Sequence, residues 1–204
     1  LAVASTSQPP QLLNLILAMK DNLTELILET PRMWLVACSI PLYEAILRHD
    51  NQIAEYLGIE VKAGWTEFGD EPSVYSMERV RVNPAEEPWW QYLAVHKADN
   101  LLIGAGGYKG SPNRFGVVEI GYEIMLDYRN QGYATEFAQH LINFAFSNAD
   151  IKVVQAHTLA EPNASTHVLK RCGMDFVQEM FDTDDGTIWQ WKVHRPMSII
   201  HLGE

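Results

Sequence analysis

The sequence predicts one mixed α/β domain (α+β class) built around a largely antiparallel sheet. Three observations lead to this fold class. The middle of the chain alternates between apolar runs and short turn segments, which is typical of consecutive strands. The apolar period then changes to the three-and-four spacing of an amphipathic helix over residues 134–145. A further strand, a helix and a hairpin follow before the end of the chain.

The elements can be assigned in order along the chain. Residues 32–36 are strand-like, and Pro41 begins a helix, because proline is tolerated in the first helical turn. Residues 58–72 are rich in loop-forming residues, and Asn163 is a good N-cap for a late helix. Further helices are predicted over 73–82, 134–145 and 164–172. Strands are predicted over 90–96, 101–108, 117–126, 153–159, 176–181 and 188–193.

The composition is that of an ordinary globular protein. The length of 204 residues suits one well-buried domain. Cys38 and Cys172 are too few for a disulfide framework and lack metal-ligand spacing, and the seven histidines form no metal motif. We therefore expect a cytoplasmic protein without a metal. No apolar run reaches the ~20 residues that a membrane span requires, so no membrane partner is expected.

The local sequence pattern divides the chain into two parts. Residues 1–29 are expected to form an N-terminal extension, and residues 30–204 the functional domain.

The net charge of −11 argues against a nucleic-acid partner, because phosphate binding requires a basic face. The same charge is compatible with a cationic amine as partner, although solubility explains it equally well. The oligomeric state cannot be read from the sequence.

The most informative segment is 124–136, where a predicted strand runs into a predicted helix through a tight loop. Free backbone N–H groups of the loop and of the first helical turn form an anion-binding concavity, which the helix dipole reinforces. Gly132 allows a phosphate to approach the backbone, and the small Ala134 keeps the next turn open. Arg129 can add charge-assisted hydrogen bonds to a pyrophosphate. An ordinary helix start with a flexible glycine is the alternative interpretation.

Two segments in this order resemble the GNAT superfamily of N-acetyltransferases, most closely its ribosomal-protein N-terminal acetyltransferase branch. The family's phosphate signature, Q/R-x-x-G-x-G/A, is matched by Arg129, Gly132 and Ala134. The segment GYEI precedes it at 121–124, and a second family signature follows at the expected distance in residues 163–174. The resemblance implies a GNAT-like central sheet with helices on both faces and acetyl-CoA as co-substrate.

The resemblance also implies where acetyl-CoA binds. The strand that ends near residue 126 would separate from strand 153–159, and a bulge near Glu123 would help to open the gap. Pantetheine would lie in this gap, with the pyrophosphate on the N–H groups of residues 130–135. The implied cofactor-binding residues are Ile124, Met125, Leu126, Arg129, Asn130, Gln131, Gly132, Tyr133, Ala134, Thr135, Asn163, Ser165 and Arg171. For Asn163, a purely structural N-cap is an equally good interpretation.

Direct acetyl transfer within a ternary complex, which the resemblance implies, requires a proton acceptor for the amine. Glu119 and Glu123 lie on the strand that borders the acetyl site and are the candidates. The alternative is that either carboxylate faces solvent or a lysine. A backbone N–H near Ile124 is the candidate donor to the oxyanion. His157, on the neighbouring strand, is interpreted as a core or surface histidine rather than as a contact to the acceptor.

The group that protonates the leaving thiolate is not assigned. Many family members present a tyrosine from the last helix, and the corresponding position here is Leu169. Ser165 is a candidate catalytic residue, directly or through water, although a hydrogen bond to the cofactor is its better interpretation. Two hypotheses follow. The chain is an N-acetyltransferase for a primary amine, either a protein or peptide N-terminus or a small molecule, or it is a non-catalytic acyl-CoA-binding or sensing domain on the same fold.

Overall fold

A computed structural model describes residues 26–49 and 51–196 of the chain. Most of the predicted N-terminal extension therefore lies outside the described residues. Its last part does not, because Ile27–Glu29 forms strand β1 and pairs with the next strand, with Ile27 opposite Val36. The sheet thus begins three residues before the predicted start of the functional domain at residue 30.

The described strands form one eight-stranded sheet in the order β1-β2-β3-β4-β5-β6-β8-β7. β5 and β6 are parallel to each other, and the other neighbouring pairs are antiparallel. This arrangement confirms the predicted mixed, largely antiparallel sheet. The strands after β1 are β2 (Met33–Ala37), β3 (Gln91–His96), β4 (Leu101–Tyr108), β5 (Val117–Ile124), β6 (Val153–Leu159), β7 (Asp175–Asp182) and β8 (Gly186–His194).

Five α-helices accompany the sheet in the described part of the chain. They are α1 (Ile40–Leu47), α2 (Gln52–Leu57), α3 (Glu71–Val82), α4 (Tyr133–Ser147) and α5 (Ala164–Arg171). Short 3₁₀ helices occupy Pro84–Trp89 and Leu126–Tyr128. None of the helices in residues 26–49 and 51–196 is long and apolar enough to cross a membrane.

The helices lie on both faces of the sheet and enclose two apolar cores. On one face, α4 and α5 pack against the sheet through residues such as Phe137, Leu141 and Leu169. On the other face, Leu42, Leu57 and Val80 of α1–α3 pack against the opposite sides of the same strands. Alternate residues of one strand belong to different cores, as the two-residue strand period requires. We refer below to the α4–α5 face and to the α1–α3 face.

Glycines in β4 allow its backbone to approach its neighbours closely. A Cβ on Gly104 would lie 2.2 Å from the Glu123 carbonyl oxygen, and one on Gly106 would lie 2.6 Å from that of Gly121. Any side chain at either position would therefore clash with β5. The pairing between β4 and β5 is continuous from Tyr108–Ile120 to Gly104–Ile124.

The predicted bulge near Glu123 is wrong, because the β4–β5 register is regular at that residue. The irregularity lies instead between Ala94 and Val95, in the pairing of β3 with β4. Since β5 is regular, Glu119 and Glu123 keep the same parity and lie on the same face of the sheet. That face is the α1–α3 face, because Val118, Ile120 and Ile124 point into the core beneath α4 and α5.

Candidate active site

The parallel pair β5 and β6 separates to form a wedge-shaped gap in the middle of the sheet. Their pairing ends at Glu119 and Gln155, although β5 continues to Ile124 and β6 to Leu159. The two strands therefore part over residues 120–124 and 156–159. The gap opens toward the loop that follows β5.

The loop after β5 has the conformation expected of an anion-binding turn. Gly132 precedes α4 with φ 86°, and Asn130 has φ 59°. A positive φ is favourable for glycine and tolerated by asparagine, so both residue types suit the turn. Gly132 accepts a hydrogen bond from Glu136 N–H at 3.0 Å, which starts α4 and leaves the N–H groups of its first turn directed out of the helix. Tyr133 is buried, whereas Asn130 and Gln131 are exposed.

Arg129 does not project freely into solvent. Its Nε donates to the Ile124 carbonyl oxygen at 2.7 Å, and its guanidinium pairs with the Glu67 carboxylate at 2.7 Å. The first contact holds the loop against the end of β5. The second joins the loop to the segment before α3, so the cation predicted for a pyrophosphate is paired with a carboxylate.

A second cation, Arg32, lies at the start of α4 and was not identified from the sequence. Its Nη1 donates to the Gln131 carbonyl oxygen at 2.9 Å, and its guanidinium lies 4.0 Å from the centre of the Tyr133 ring. Its Nη2 would be 3.4 Å from a Cβ on Gly132. Arg32 belongs to the turn between β1 and β2, about a hundred residues earlier in the chain, so no local pattern could associate it with this loop.

Several predicted cofactor residues line one cavity of about 290 Å³. Ile124, Met125 and Leu126 form one wall with Arg129 at its end, and residues 63–65 with Glu67 form the opposite wall. Glu123 also lines this cavity. The structure thus brings together the end of β5 and the loop before α3, a region where the sequence contained no recognisable motif.

The α4–α5 side of the gap is lined by hydroxyl groups. The hydroxyl of Tyr122, on β5, is buried close to Ser165 of α5, yet it makes no hydrogen bond of normal geometry with any described residue. Burial raises the pKa of Tyr122 well above its usual value, so the hydroxyl stays protonated and available as a donor. Leu169, where a tyrosine was expected from the resemblance, is buried in the core.

Asn163 acts as the N-cap of α5. Its Oδ1 accepts from Thr166 N–H at 2.9 Å, and Thr166 Oγ1 accepts from Asn163 N–H at 3.1 Å, which completes a capping box. The Asn163 side-chain oxygen is therefore used by the helix cap, as the interpretation of Asn163 as a structural N-cap expects. Arg171 is exposed in the last turn of α5, and Thr135 in α4 accepts a hydrogen bond from Cys172 at 3.6 Å through its carbonyl oxygen.

Glu119 lies at the apex of the gap and is fully engaged. Its Oε1 contacts Lys109 Nζ at 2.7 Å and His157 Nδ1 at 3.0 Å, and its Oε2 accepts from Gln155 at 3.0 Å. Burial alone would raise the pKa of this carboxyl, but the hydrogen bonds from His157 and Lys109 outweigh it and lower the pKa to about 2. A carboxylate this acidic and this well paired is a weak proton acceptor near neutral pH.

Glu123 has the opposite electrostatic environment. Its carboxylate accepts from Thr66 Oγ1 at 2.6 Å and from Glu67 N–H at 2.8 Å. Burial nevertheless raises the pKa of Glu123, with a further contribution from the negative charge of Glu67. Its hydrogen bonds fasten the segment before α3 to β5, so this residue holds one wall of the cavity in place.

The family comparison assigns the fold to a known class of enzyme. The acetyltransferase (GNAT) domain family matches residues 40–175. An uncharacterized N-acetyltransferase of Bacillus subtilis (strain 168), YjdG, is 29% identical over 148 residues, which cover 72% of this chain and 88% of that protein. The chain therefore belongs to the GNAT family and is an N-acetyltransferase, an enzyme that moves an acetyl group to an amine.

Solved structures share this fold. The ribosomal-protein-S5-alanine acetyltransferase of Vibrio fischeri superposes with a TM-score of 0.59 at 14% identity, covering 83% of this chain and 96% of that chain. The microcin C7 self-immunity acetyltransferase MccE, solved with acetyl-CoA and AMP, gives a TM-score of 0.58 at 14% identity, covering 81% and 93%. At these identities the likeness concerns the fold.

Proposed function

We propose that this chain transfers the acetyl group of acetyl-CoA directly to a primary amine while both substrates are bound. The observation that carries this proposal is the gap between β5 and β6, which begins at Glu119 and Gln155 and opens toward the loop before α4. Acetyl-CoA supplies an activated thioester. A gap through the sheet allows a thioester to be approached from one face while its nucleotide is held at the other.

Three features of the chain fit acetyl-CoA. The N–H groups at the start of α4 and the positive φ of Gly132 suit a pyrophosphate. Among the described residues, and leaving out the neighbours of Gly132 in the chain, Arg32 Nη2 is the one atom within 4 Å of a Cβ built on Gly132, so the space above the loop has a cation beside it. The unpartnered Tyr122 hydroxyl offers a hydrogen bond inside the gap.

The proposed roles of the remaining residues follow from their contacts. Residues 130–135 would hold the pyrophosphate, with Arg129 exchanging its contact to Glu67 for one to the ligand. Ile124 and Leu126 would border the pantetheine arm, and Ser165 would contact it from α5. Asn163 and Arg171 would contact the cofactor only from the two ends of α5. The Asn163 side-chain oxygen already caps the helix.

The acceptor is proposed to be a cationic amine, either an α-amine of a protein or peptide or a small-molecule amine. The net charge of −11 favours a cationic partner over a nucleic acid. The V. fischeri structure bears the name of an enzyme that acts on a ribosomal-protein alanine, which supports testing peptide N-termini first. We place the reaction in the cytoplasm, in keeping with the buried free thiols of Cys38 and Cys172.

The experiment is a thiol-release assay with acetyl-CoA and a panel of peptides, amino acids, polyamines and aminoglycosides. Acceptor-dependent release above the rate of acetyl-CoA hydrolysis, with acetylated product found by mass spectrometry, is the expected result. Saturable binding of acetyl-CoA without a single turnover on any acceptor would favour a binding or sensing domain on the same fold and would contradict the proposal.

A further inference from the structure

The β6 residue His157 lies two positions beyond the point where β5 and β6 separate. Its Nδ1 is 3.0 Å from Glu119 Oε1, and its Nε2 is 3.3 Å from Gln190 Nε2 of β8. Val154 and Ala156 of the same strand point into the α4–α5 core, so the alternate residues Gln155 and His157 face the α1–α3 side. The His157 side chain is 16% exposed, so it is not closed off from solvent.

The hydrogen bonds around His157 determine which ring nitrogen carries the proton. An ionised carboxylate only accepts, so Gln155 must direct its amide nitrogen toward Glu119, and it does so at 3.0 Å. The Gln155 oxygen then faces Gln190 Nε2 at 3.4 Å, and Gln190 Oε1 accepts from Gln178 at 3.3 Å. The Gln190 nitrogen therefore points toward His157.

Two donors cannot share a hydrogen bond, so His157 Nε2 must be unprotonated where it meets Gln190. The proton lies on Nδ1 and is donated to Glu119. A histidine in this tautomer presents a lone pair on Nε2, and the carboxylate behind it stabilises the positive charge that forms when Nε2 takes a proton. This is the arrangement of a general base with an orienting carboxylate.

We propose that His157 is the catalytic base that deprotonates the acceptor amine, and that Glu119 is the positioning residue that fixes its tautomer. This inference rests on the proposed acetyl transfer. The incoming amine would replace the long contact to Gln190. Glu119 itself is poorly suited to be the base, because Lys109, Gln155 and His157 already occupy its oxygens.

The ammonium form of the acceptor gives one proton to His157 Nε2, and the nitrogen lone pair then forms the bond to the acetyl carbon. The carbon–sulfur bond breaks with its electron pair on sulfur. The second proton of the nitrogen ends on that sulfur, so the products are an amide and a thiol, and His157 returns its proton to solvent.

Three charged groups surround the proposed base. The Glu119 carboxylate, from β5, contacts the His157 ring, and Lys109, directly after β4, pairs with the Glu119 carboxylate. Asp182, at the end of β7, interacts electrostatically with His157.

The test compares His157→Gln and Glu119→Gln with His194→Gln, a control at the exposed end of β8. With an acceptor found in the thiol-release assay, His157→Gln is expected to lower kcat/KM at neutral pH by about 100-fold or more and to remove the acid limb of the pH profile. Glu119→Gln should keep the limb. Affinity for acetyl-CoA should change less than about twofold in all three variants.

A second readout does not depend on activity. Nitrogen NMR of the free protein should show His157 as the Nδ1–H tautomer, and Glu119→Gln should remove this preference. Wild-type rate and an unchanged acid limb in folded His157→Gln, or an Nε2–H tautomer in the wild type, would overturn the assignment while leaving acetyl transfer intact. Absence of turnover in the wild-type protein would instead remove the proposed function and this inference with it.

Discussion

At the scale of single residues, the unpartnered hydroxyl of Tyr122 makes the clearest prediction. The Tyr122 hydroxyl is buried beside Ser165 without a well-formed hydrogen bond, and such a group typically destabilises a protein by about 1–3 kcal/mol. Tyr122→Phe should therefore raise the melting temperature of the free protein while weakening acetyl-CoA binding by roughly tenfold, if the hydroxyl donates to the ligand. Calorimetry and thermal unfolding of the same samples measure both effects.

Tyr128→Phe is a suitable control for that substitution. Its hydroxyl already donates to Asp99 at 2.5 Å, so its removal should not raise the stability of the free protein. Equal affinity for acetyl-CoA in Tyr122→Phe and in the wild type would show that the Tyr122 hydroxyl does not meet the ligand.

Glu119 should also contribute to the pH dependence of stability. Its pKa is about 2 in the folded protein against an ordinary value of 4.5, so the ionised carboxylate stabilises the fold above pH 4.5. This contribution is lost as the pH falls through that interval. Urea unfolding should show that Glu119→Gln destabilises the protein by roughly 2 kcal/mol at pH 7 and much less at pH 3.

The contribution of Glu123 to stability should depend on pH in the opposite direction. Because its pKa is raised, the folded protein holds this proton more tightly than the unfolded chain, and its contribution to stability decreases as the pH rises through the folded pKa. Glu123→Gln should therefore be best tolerated at neutral pH. A similar pH profile in the two variants would contradict the environments described for the two carboxylates.

At the scale of elements, the capping box of α5 separates a structural role for Asn163 from a role in binding. Asn163→Ala removes the acceptor for Thr166 N–H and should cost about 1 kcal/mol of stability. Asn163→Asp preserves the cap and should keep the stability. If Asn163 acts only through the helix, denaturant unfolding will separate the two variants, whereas acetyl-CoA affinity will not. Loss of affinity in both variants would instead indicate direct contact with the ligand.

The start of α4 is held by a partly buried network from the turn after the edge strand β1. Glu136 in the first turn of α4 accepts from Thr30 Oγ1 at 2.5 Å, from Arg32 N–H at 2.8 Å and from Arg32 Nε at 2.7 Å. These contacts lower the pKa of Glu136 in spite of its partial burial. The turn after β1 thus fixes the direction in which the N–H groups of α4 point, and β1 belongs to the architecture of the site.

At the scale of the whole molecule, local periodicity predicted most elements, and long-range pairing explains what it missed. The apolar spacing of residues 134–145 and the N-cap Asn163 correspond to α4 and α5. β1 was missed because it is only three residues long, and only its pairing with β2 makes it a strand. The bulge depends on strand register, which no local pattern encodes.

The candidate site likewise has one part that the local sequence predicts and another that depends on long-range contacts. The loop at 129–135 is contiguous and could be identified from its residue types. The contacts of Arg32 to Gln131 and of His157 to Glu119 join residues far apart in the sequence, so the sequence alone left their partners open. For Glu119 a lysine partner was one stated alternative, and the structure places Lys109 at 2.7 Å from it.

The central claim is that the loop before α4 binds acetyl-CoA, and calorimetric titration of a matched pair of glycine variants tests it most directly. Gly132 and Gly186 both have positive φ, 86° and 73°, so a valine strains either turn. Gly186 is the first residue of β8, in the hairpin with β7 and outside residues 129–135. The account predicts a Kd of ~1–100 μM for the wild type and for Gly186→Val, and no binding in a folded Gly132→Val. Equal binding by both variants, or no saturation of the wild type at millimolar acetyl-CoA, would contradict it.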